Sequence, residues 1–222
     1  TKEHVLTAEM EKLVAMTGEM AQTPEQVYSI INNADLIYPE IEDENGEKVR
    51  LSHGNFVPFE ESGDRRVRKD AFEAFYSIYK QFAGTIAGLY NGQVKQQIFY
   101  AKARNYASTL EAAVDANNVP AKVYRNLVET VNANMDKMHR YVSLRKRLLG
   151  VDELHMYDVY TPMIADAAKK VSYDEAKETV LKALAPLGED YVATVKEGFE
   201  NRWIDVYENE GKRSGAYSAG AF

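Results

Sequence analysis

"DRRVRKDAFEAFYSIY", residues Asp64–Tyr79, carries the clearest periodicity in the chain. Apolar side chains recur along it and beyond it at steps of three and four residues, as on one face of a helix: Val67, Ala71, Phe75, Tyr79, Phe82, Ile86 and Leu89. No proline follows until Pro120, so the pattern predicts a helix that runs to about Asn105 with a bend near Gly88 or Gly92. A helix of that length, roughly 60 Å, needs several partner helices.

Two further helices are predicted before this one. Thr7 is a candidate N-cap for the first, whose apolar positions follow at helical spacing: Leu6, Met10, Leu13, Met16 and Met20. The second is predicted to begin at Thr23 as N-cap, with Pro24 in the first helical position and Gln26 at the third, which together form a capping-box pattern.

Between these helices lies the one convincing β signal, residues 41–51. Asn45 and Gly46 separate Ile41 from the alternating Val49 and Leu51. Asn-Gly suits the two positive φ angles of a type I′ turn, so the segment is predicted to be a β-hairpin.

After Pro120 the pattern again predicts helices. One uses Val123, Leu127, Val131 and neighbouring apolar positions and ends at Gly150. Ser172 and Glu175 form a capping box for the next helix, which Pro186 stops before a last helical segment. The predicted fold class is therefore mainly α: a multi-helix array with one small β-hairpin.

Composition narrows the function classes. The chain has 222 residues, no cysteine and a formal net charge of −7, which exclude a thiolate zinc site and argue against nonspecific nucleic-acid binding. Two basic runs, Asp64–Asp70 and Leu144–Gly150, are interpreted as solvated helix faces rather than a phosphate-binding stripe. The longest uncharged stretch, Gln81–Val94, is shorter than the ~20 residues that cross a membrane.

The four histidines offer no recognisable metal pair. None lies four residues from another, so the chain contains no H-E-x-x-H helix. His53 follows a serine in a turn, where capping or hydrogen bonding is the simpler interpretation. His155 is close in sequence to Tyr157, Asp158 and Tyr160; a structural hydrogen-bonded cluster and a role for His155 and Tyr157 behind an active site both stay open.

The acidic residues do not form a persuasive site either. Five acids surround the predicted hairpin between Glu40 and Glu47, but their order differs from that of a calcium loop, which favours solvated turn residues. Phosphate-loop and nucleophile-elbow motifs are absent from the sequence. Residue chemistry alone therefore predicts a helical protein without assigning its function.

Four long stretches resemble the oligoendopeptidase F family of zinc metallopeptidases. They are "INNADLIYPEIEDENGEKVRLSHGNF" (Ile31–Phe56), "DRRVRKDAFEAFYSIY", "MHRYVSLRKRLLGVDELHMYDVYTP" (Met138–Pro162) and "EGKRSGAYSAGAF" (Glu210–Phe222). The resemblance covers essentially the whole chain, in order and without large gaps. It implies part of a larger, bowl-shaped helical peptidase.

The resemblance also implies where the metal is bound. Family members hold zinc with an H-E-x-x-H helix and a further Glu, in which zinc activates a water and the motif Glu acts as general base. This sequence has no such motif, so no zinc ligand and no catalytic residue is assigned to it; zinc is the expected cofactor of the full-length enzyme only. Residues 1–63 are expected to be the end of an upstream helical lobe, and residues 64–222 the first half of the catalytic domain.

The last stretch is expected to contact substrate. By the resemblance it precedes the zinc helix and leads into an edge strand that pairs with a peptide backbone. The small residues Ser218, Ala219 and Gly220 would let that backbone approach, and Arg213 and Tyr217 are candidate substrate contacts. The alternative is that these residues only shape a turn.

The implied function is a zinc oligoendopeptidase that hydrolyses internal bonds of short peptides in the cytoplasm. Its expected partners are short peptides and the remaining part of the catalytic domain, with no nucleic acid and no membrane. The 222-residue chain alone is expected to be inactive. The alternatives are a non-catalytic helical binding or scaffold module, or a separate chain that supplies the zinc half.

Overall fold

The structure, a computed structural model, describes residues 2–164, 171–207, 209, 212 and 215. Within these residues the chain forms eleven α-helices and one two-stranded sheet, which confirms the predicted mainly α fold with a single small hairpin. The helices in this part of the chain include none that is both long and apolar enough to cross a membrane. Two compact units are present, residues 1–161 and residues 162–222.

Helix α5, Arg65–Gln81, buries the predicted apolar stripe. It begins after Asp64, whose carboxylate accepts a hydrogen bond from the Arg66 amide at 2.9 Å and so satisfies one of the free N–H groups of the first turn. Val67, Ala71 and Phe75 are buried, as the three- and four-residue spacing predicts.

The helix does not continue unbroken to Asn105. It ends at Phe82, where φ is −97° and ψ is 9°, and helix α6 starts directly after it at Ala83 and runs to Ala103. Gly88 and Gly92, near which a bend was predicted, both lie inside α6, so the interruption falls earlier in the chain, at Phe82. The break has a packing reason: α5 packs on the hairpin side of the unit, whereas α6 packs on an earlier helix.

Strands β1, Glu40–Glu42, and β2, Lys48–Arg50, form the predicted hairpin, with Ile41 opposite Val49. The predicted type I′ turn is wrong, because only Gly46 of the Asn-Gly pair has a positive φ, +81°. The Gly46 amide donates to the Asp43 carbonyl at 3.2 Å, and the Asp43 carboxylate accepts from the amides of Asn45 and Glu47. Because Asp43 organises it, the turn is a longer one with a single left-handed glycine.

The core of the first unit lies between this hairpin, α5 and helix α4, His53–Glu60. Helix α4 starts with a reciprocal capping box between Ser52 and Asn55. Phe75 stacks on Tyr38 at 4.7 Å and on Phe56 at 4.2 Å between ring centroids. The buried cluster consists of Tyr38, Ile41, Leu51, Val67, Ala71 and Phe75.

The N-terminal region contains α1, Ala8–Met16, α2, Gly18–Ala21, and α3, Thr23–Ile30, followed by a wider turn of helix over Ile31–Asp35. Thr7 caps α1 as predicted, accepting from the Met10 amide. The predicted capping box at Thr23 is wrong: Gln22 precedes the helix in helical backbone geometry and makes no side-chain cap. Because α2 runs into α3 almost without a break, Thr23 has no extended cap position to occupy.

Three helices complete the first unit: α7, Thr109–Asp115, α8, Ala121–Ala133, and α9, Met135–Leu149. The single helix predicted after Pro120 is divided at Asn134, whose side-chain amide donates to the Thr130 carbonyl at 2.7 Å. Gly150 ends α9 with φ +65°, which confirms the predicted terminal glycine.

The apolar stripe of α8 is present but lies on the surface of the first unit. Val123, Leu127 and Val131 all face the same side of α8 by their spacing, and all three are exposed in this unit. In α9, Met138, Tyr141 and Leu148 are exposed as well. The helical periodicity is therefore correct here, while the partner that such a stripe would pack against does not come from the first unit.

In the second unit, helix α10, Tyr173–Leu184, is followed by a short 3₁₀ turn, Ala185–Leu187, and by α11, Glu189–Glu200. Ser172 and Glu175 form the predicted capping box. The only tryptophan of the sequence, Trp203, packs against Gly198 on α11.

Replacing Phe75 with alanine tests this core. Phe75 is 6 % exposed and is stacked between two rings, so Phe75→Ala is expected to lower the free energy of unfolding by about 3–5 kcal/mol in urea denaturation. Phe99→Ala is the matched control, because Phe99 is 49 % exposed on α6 and its loss should cost about 0.5 kcal/mol or less. Equal losses in the two variants would contradict the assignment of the core.

Candidate functional site

The predicted substrate contacts lie at the C-terminal end of the sequence. Arg213, Tyr217, Ser218, Ala219 and Gly220 are outside the described residues. Lys212, which belongs to the same stretch, is described, and its Nζ donates to the carbonyls of Asp205 and Tyr207 at 2.7 Å each. This lysine therefore braces the segment that follows α11.

His155 and Tyr157 lie in the connector after α9. Their rings stack with centroids 4.9 Å apart and planes 12° apart. The His155 amide donates to Asp158 Oδ2 at 2.9 Å, whereas the His155 ring is partly exposed and lies 3.8 Å from the Glu153 carboxylate. Tyr160, which is close in sequence, is exposed. His155 thus supports Asp158 through its main chain, and its imidazole remains accessible.

Asp158 is the centre of the most organised polar site in the first unit. Its side chain is 0 % exposed and accepts two hydrogen bonds from Arg65, Nε to Oδ1 at 3.1 Å and Nη2 to Oδ2 at 2.9 Å. Arg68 Nη2 donates to Oδ1 at 2.9 Å. A carboxylate that accepts this many charged and amide donors is held in one orientation.

These contacts also set the protonation state of Asp158. Burial alone would raise the pKa of this carboxyl, but the hydrogen bonds from Arg65, from the His155 amide and from Arg68 outweigh it and hold the pKa at about 2. Asp158 is therefore ionised throughout the physiological range.

The arginines extend the site to three segments of the chain. Arg68 is 4 % exposed and also donates to the carbonyls of Ser62 at 2.7 Å and Tyr157 at 3.2 Å. Arg145, on α9, donates to the Asp158 carbonyl at 2.9 Å and to the Thr161 carbonyl. We refer to Arg65, Arg68, Arg145 and Asp158 as the Asp158 cluster. It joins the start of α5, the end of α9 and the connector after it.

The Asp158 cluster corrects the interpretation of the basic runs. Both runs were predicted to be solvated helix faces, yet Arg68 and Arg145 are buried, one from each run. Arg66 and Lys69 on α5 remain at the surface in pairs with nearby acids. The sequence position of Arg68 could have indicated its burial. Arg68 follows Val67 and lies three residues before Ala71, which places it on the buried face of the helix.

One buried acid of this region lacks an ion-pair partner. Glu60, the last residue of α4, is 1 % exposed, and its Oε1 has no hydrogen-bond partner in the described structure. Burial, partly offset by Arg68 and reinforced by Asp158, raises the pKa of Glu60 to about 7.

A metal site cannot be built from the described residues. Nowhere in residues 2–164 and 171–207 do three or more His, Asp or Glu side chains converge as a metal would require. His53 Nε2 lies 2.9 Å from the Tyr38 hydroxyl, and His4 Nδ1 lies 2.8 Å from the Arg104 carbonyl. Within the part of the chain that the structure describes, the side chains present therefore do not fit a zinc ion.

The architecture is that of oligoendopeptidases. The crystal structure of oligoendopeptidase-F from Enterococcus faecium superimposes with a TM-score of 0.73 at 47% sequence identity, over 90% of this chain and 37% of that chain. Oligopeptidase PepF of Bacillus subtilis is 50% identical over 100% of this chain and 33% of its own length. Group B oligopeptidase PepB of Streptococcus agalactiae is 43% identical over 100% of this chain and 37% of its own.

The sequence patterns of known protein families also relate the chain to oligopeptidases. The pattern of peptidase family M3 matches residues 59–222, and that of oligopeptidase F matches residues 1–38. The chain belongs to peptidase family M3. It spans about a third of the length of the relatives that it matches.

Neutralising Asp158 tests the role of the cluster. Asp158→Asn keeps the size of the side chain but leaves Arg68 buried without its counter-charge, so the free energy of unfolding is expected to fall by about 3–5 kcal/mol. Asp70→Asn is the matched control. It removes an exposed ion pair on α5, in which Asp70 lies 3.3 Å from Arg66, and should lower the free energy of unfolding by about 1 kcal/mol or less. Urea denaturation of both variants measures the difference, and similar small losses would contradict the assigned role.

The pH dependence of the same variant has a defined sign. The pKa of Asp158 is lowered from 3.8 to about 2 in the folded protein, so its contribution to stability is present above about pH 4 and is lost as the pH falls towards 2. The difference between the wild type and Asp158→Asn should therefore shrink in acid. A difference that stays constant from neutral pH to acid would contradict the ion pair.

Proposed function

We propose that this chain is part of a zinc-dependent oligoendopeptidase that hydrolyses internal bonds of short peptides. The observation that carries the proposal is the 50% identity to an oligopeptidase along the full length of the chain. Membership of peptidase family M3 and the likeness to a solved oligoendopeptidase support the same conclusion.

The chain contributes structure rather than metal ligands to this enzyme. Its four histidines are spaced too differently for an H-E-x-x-H helix, and the described residues present no convergent ligands. Zinc and the general base belong to a different part of the longer protein. On this proposal, hydrolysis requires the longer protein, and the 222-residue chain by itself has no peptidase activity.

Residues 1–63 form the end of an upstream helical lobe with its hairpin, and residues 64–222 form the first half of the catalytic domain within a larger, bowl-shaped body. The two family matches, residues 1–38 and 59–222, support a division in this region. The exposed apolar stripe of α8 is consistent with further helices that pack on the catalytic part.

The stretch Glu210–Phe222 leads into an edge strand with which the peptide backbone pairs. Ser218, Ala219 and Gly220 are small enough for close approach, while Arg213 and Tyr217 contact the substrate directly. His155 and Tyr157, whose rings stack, are candidate supporting residues of the active site in the full-length enzyme.

The enzyme works in the cytoplasm on soluble peptides. A chain of 222 residues without cysteine suits a reducing compartment, and its net charge of −7 does not favour nucleic acid. Its partners are short peptides and the rest of the catalytic domain, not a membrane.

Peptide hydrolysis by the full-length protein tests this function. The full-length protein should cleave a short quenched-fluorescence peptide, lose activity when zinc is chelated, and regain it when zinc is returned. The 222-residue chain should give no hydrolysis under the same conditions. Failure of the full-length protein to cleave any peptide, or robust cleavage by the chain alone, would contradict the proposal.

Substitutions near the C-terminal end test the substrate contacts. In the full-length enzyme, Arg213→Ala and Tyr217→Phe should each lower kcat/KM by about tenfold, the loss of a typical polar contact made in the transition state. Lys196→Ala is the control, since Lys196 is exposed on α11 and should leave kcat/KM unchanged. An unchanged kcat/KM in both test variants would contradict substrate contact by Arg213 and Tyr217 and would leave them only a role in shaping the turn.

A further inference from the structure

Glu60 is a buried acid whose carboxylate has no ion-pair partner among the described residues. Its side chain is almost completely removed from water at the end of α4, and Oε1 makes no hydrogen bond to any described residue. Buried carboxylates are normally paired, because an ionised group out of water is costly unless donors replace its hydration. Glu60 is therefore stable in this position mainly when it is protonated.

The nearby cations do not provide the missing pair. Arg68 already donates through Nε to Tyr157, through Nη1 to Ser62 and Gly63, and through Nη2 to Asp158. Within the described residues no Lys, Arg or His nitrogen comes within 4.0 Å of the Glu60 carboxylate. An ionised Glu60 would thus add a second negative charge near Asp158 and compete with it for Arg68.

We propose that Glu60 is a protonation switch for the Asp158 cluster, neutral when the cluster is closed and ionised when the end of α4 opens to water. The charged groups that act on it are Arg68 from α5 and Asp158 from the connector. Arg65 and Arg145 face Asp158 from its other sides.

The geometry connects this switch to the hairpin. Two residues after Glu60, the Ser62 hydroxyl donates to the Glu44 carboxylate in the hairpin turn, and the same oxygen accepts from the Asp64 amide at 3.1 Å. The Ser62 carbonyl accepts from Arg68 at 2.7 Å and from the Thr161 hydroxyl at 3.2 Å. Movement at the end of α4 would therefore loosen the hairpin turn, the start of α5 and the connector together.

The sign of the pH effect follows from the direction of the shift. The pKa of Glu60 is raised from 4.5 to about 7, foremost by burial. Its contribution to the closed state is therefore full below pH 4.5 and is lost as the pH rises through 7. One proton linked in this way changes the opening equilibrium by up to about tenfold per pH unit.

Hydrogen exchange of the full-length protein tests the switch. Amide exchange of residues 53–64 and 156–161, corrected for intrinsic rates, is compared at about pH 5.5 and about pH 8.5, which lie on either side of the raised pKa of Glu60. In the wild type, opening should increase at the higher pH by tenfold or more. Glu60→Gln, which stays neutral, should show no such increase, whereas Glu61→Gln, its exposed neighbour, should behave as the wild type.

Two results would overturn the proposal. One is a Glu60→Gln protein whose corrected exchange still accelerates with pH as the wild type does. The other concerns the wild type alone: a flat profile of corrected exchange between about pH 5 and about pH 8 excludes the switch even if the variant does not fold. Because neither measurement uses peptide hydrolysis, the proposed function can fail without affecting this result.

Discussion

The ion pair between Asp158 and Arg68 is the constraint on which the first unit depends. Both side chains are buried, so either charge would strongly destabilise the fold if the other were missing. Their contacts fix the connector after α9 against the start of α5. Arg145 connects the end of α9 to the same connector, because it donates a hydrogen bond to the Asp158 carbonyl. The hairpin, α4 and α5 share an apolar core, whereas this polar cluster determines where the later part of the unit attaches.

Several features encoded within a few residues were predictable from the sequence, although the turn type at Asn45 and Gly46 and the cap at Thr23 were not. The stripe through Val67, Ala71 and Phe75 identified a buried helix face because helical spacing is a local property. Gly150 and the Ser172 capping box were correct for the same reason, since a helix end is determined by its own side chains. Family membership was also readable, because the resemblance extends along the whole chain.

Long-range partners were not predictable in this way. Arg68 and Asp158 are 90 residues apart, and no periodicity relates them, so the arginine was assigned to solvent. The break at Phe82 depends on α5 and α6 packing on different partners. Of the candidate site residues, only His155 and Tyr157 fall in the described chain, where their stacked rings add a geometry that sequence order does not contain.

The separation between Arg68 and Asp158 has a consequence for synthesis on the ribosome. Translation adds roughly 5–20 residues per second, so the 90 residues between them take on the order of 5–18 s to appear. During that interval the hairpin, α4 and α5 have emerged with an arginine whose acidic partner does not yet exist. Arg68 of the nascent chain therefore stays without its buried counter-charge until the connector leaves the exit tunnel. Pausing of the ribosome between these two codons would lengthen the period in which the growing chain depends on chaperones.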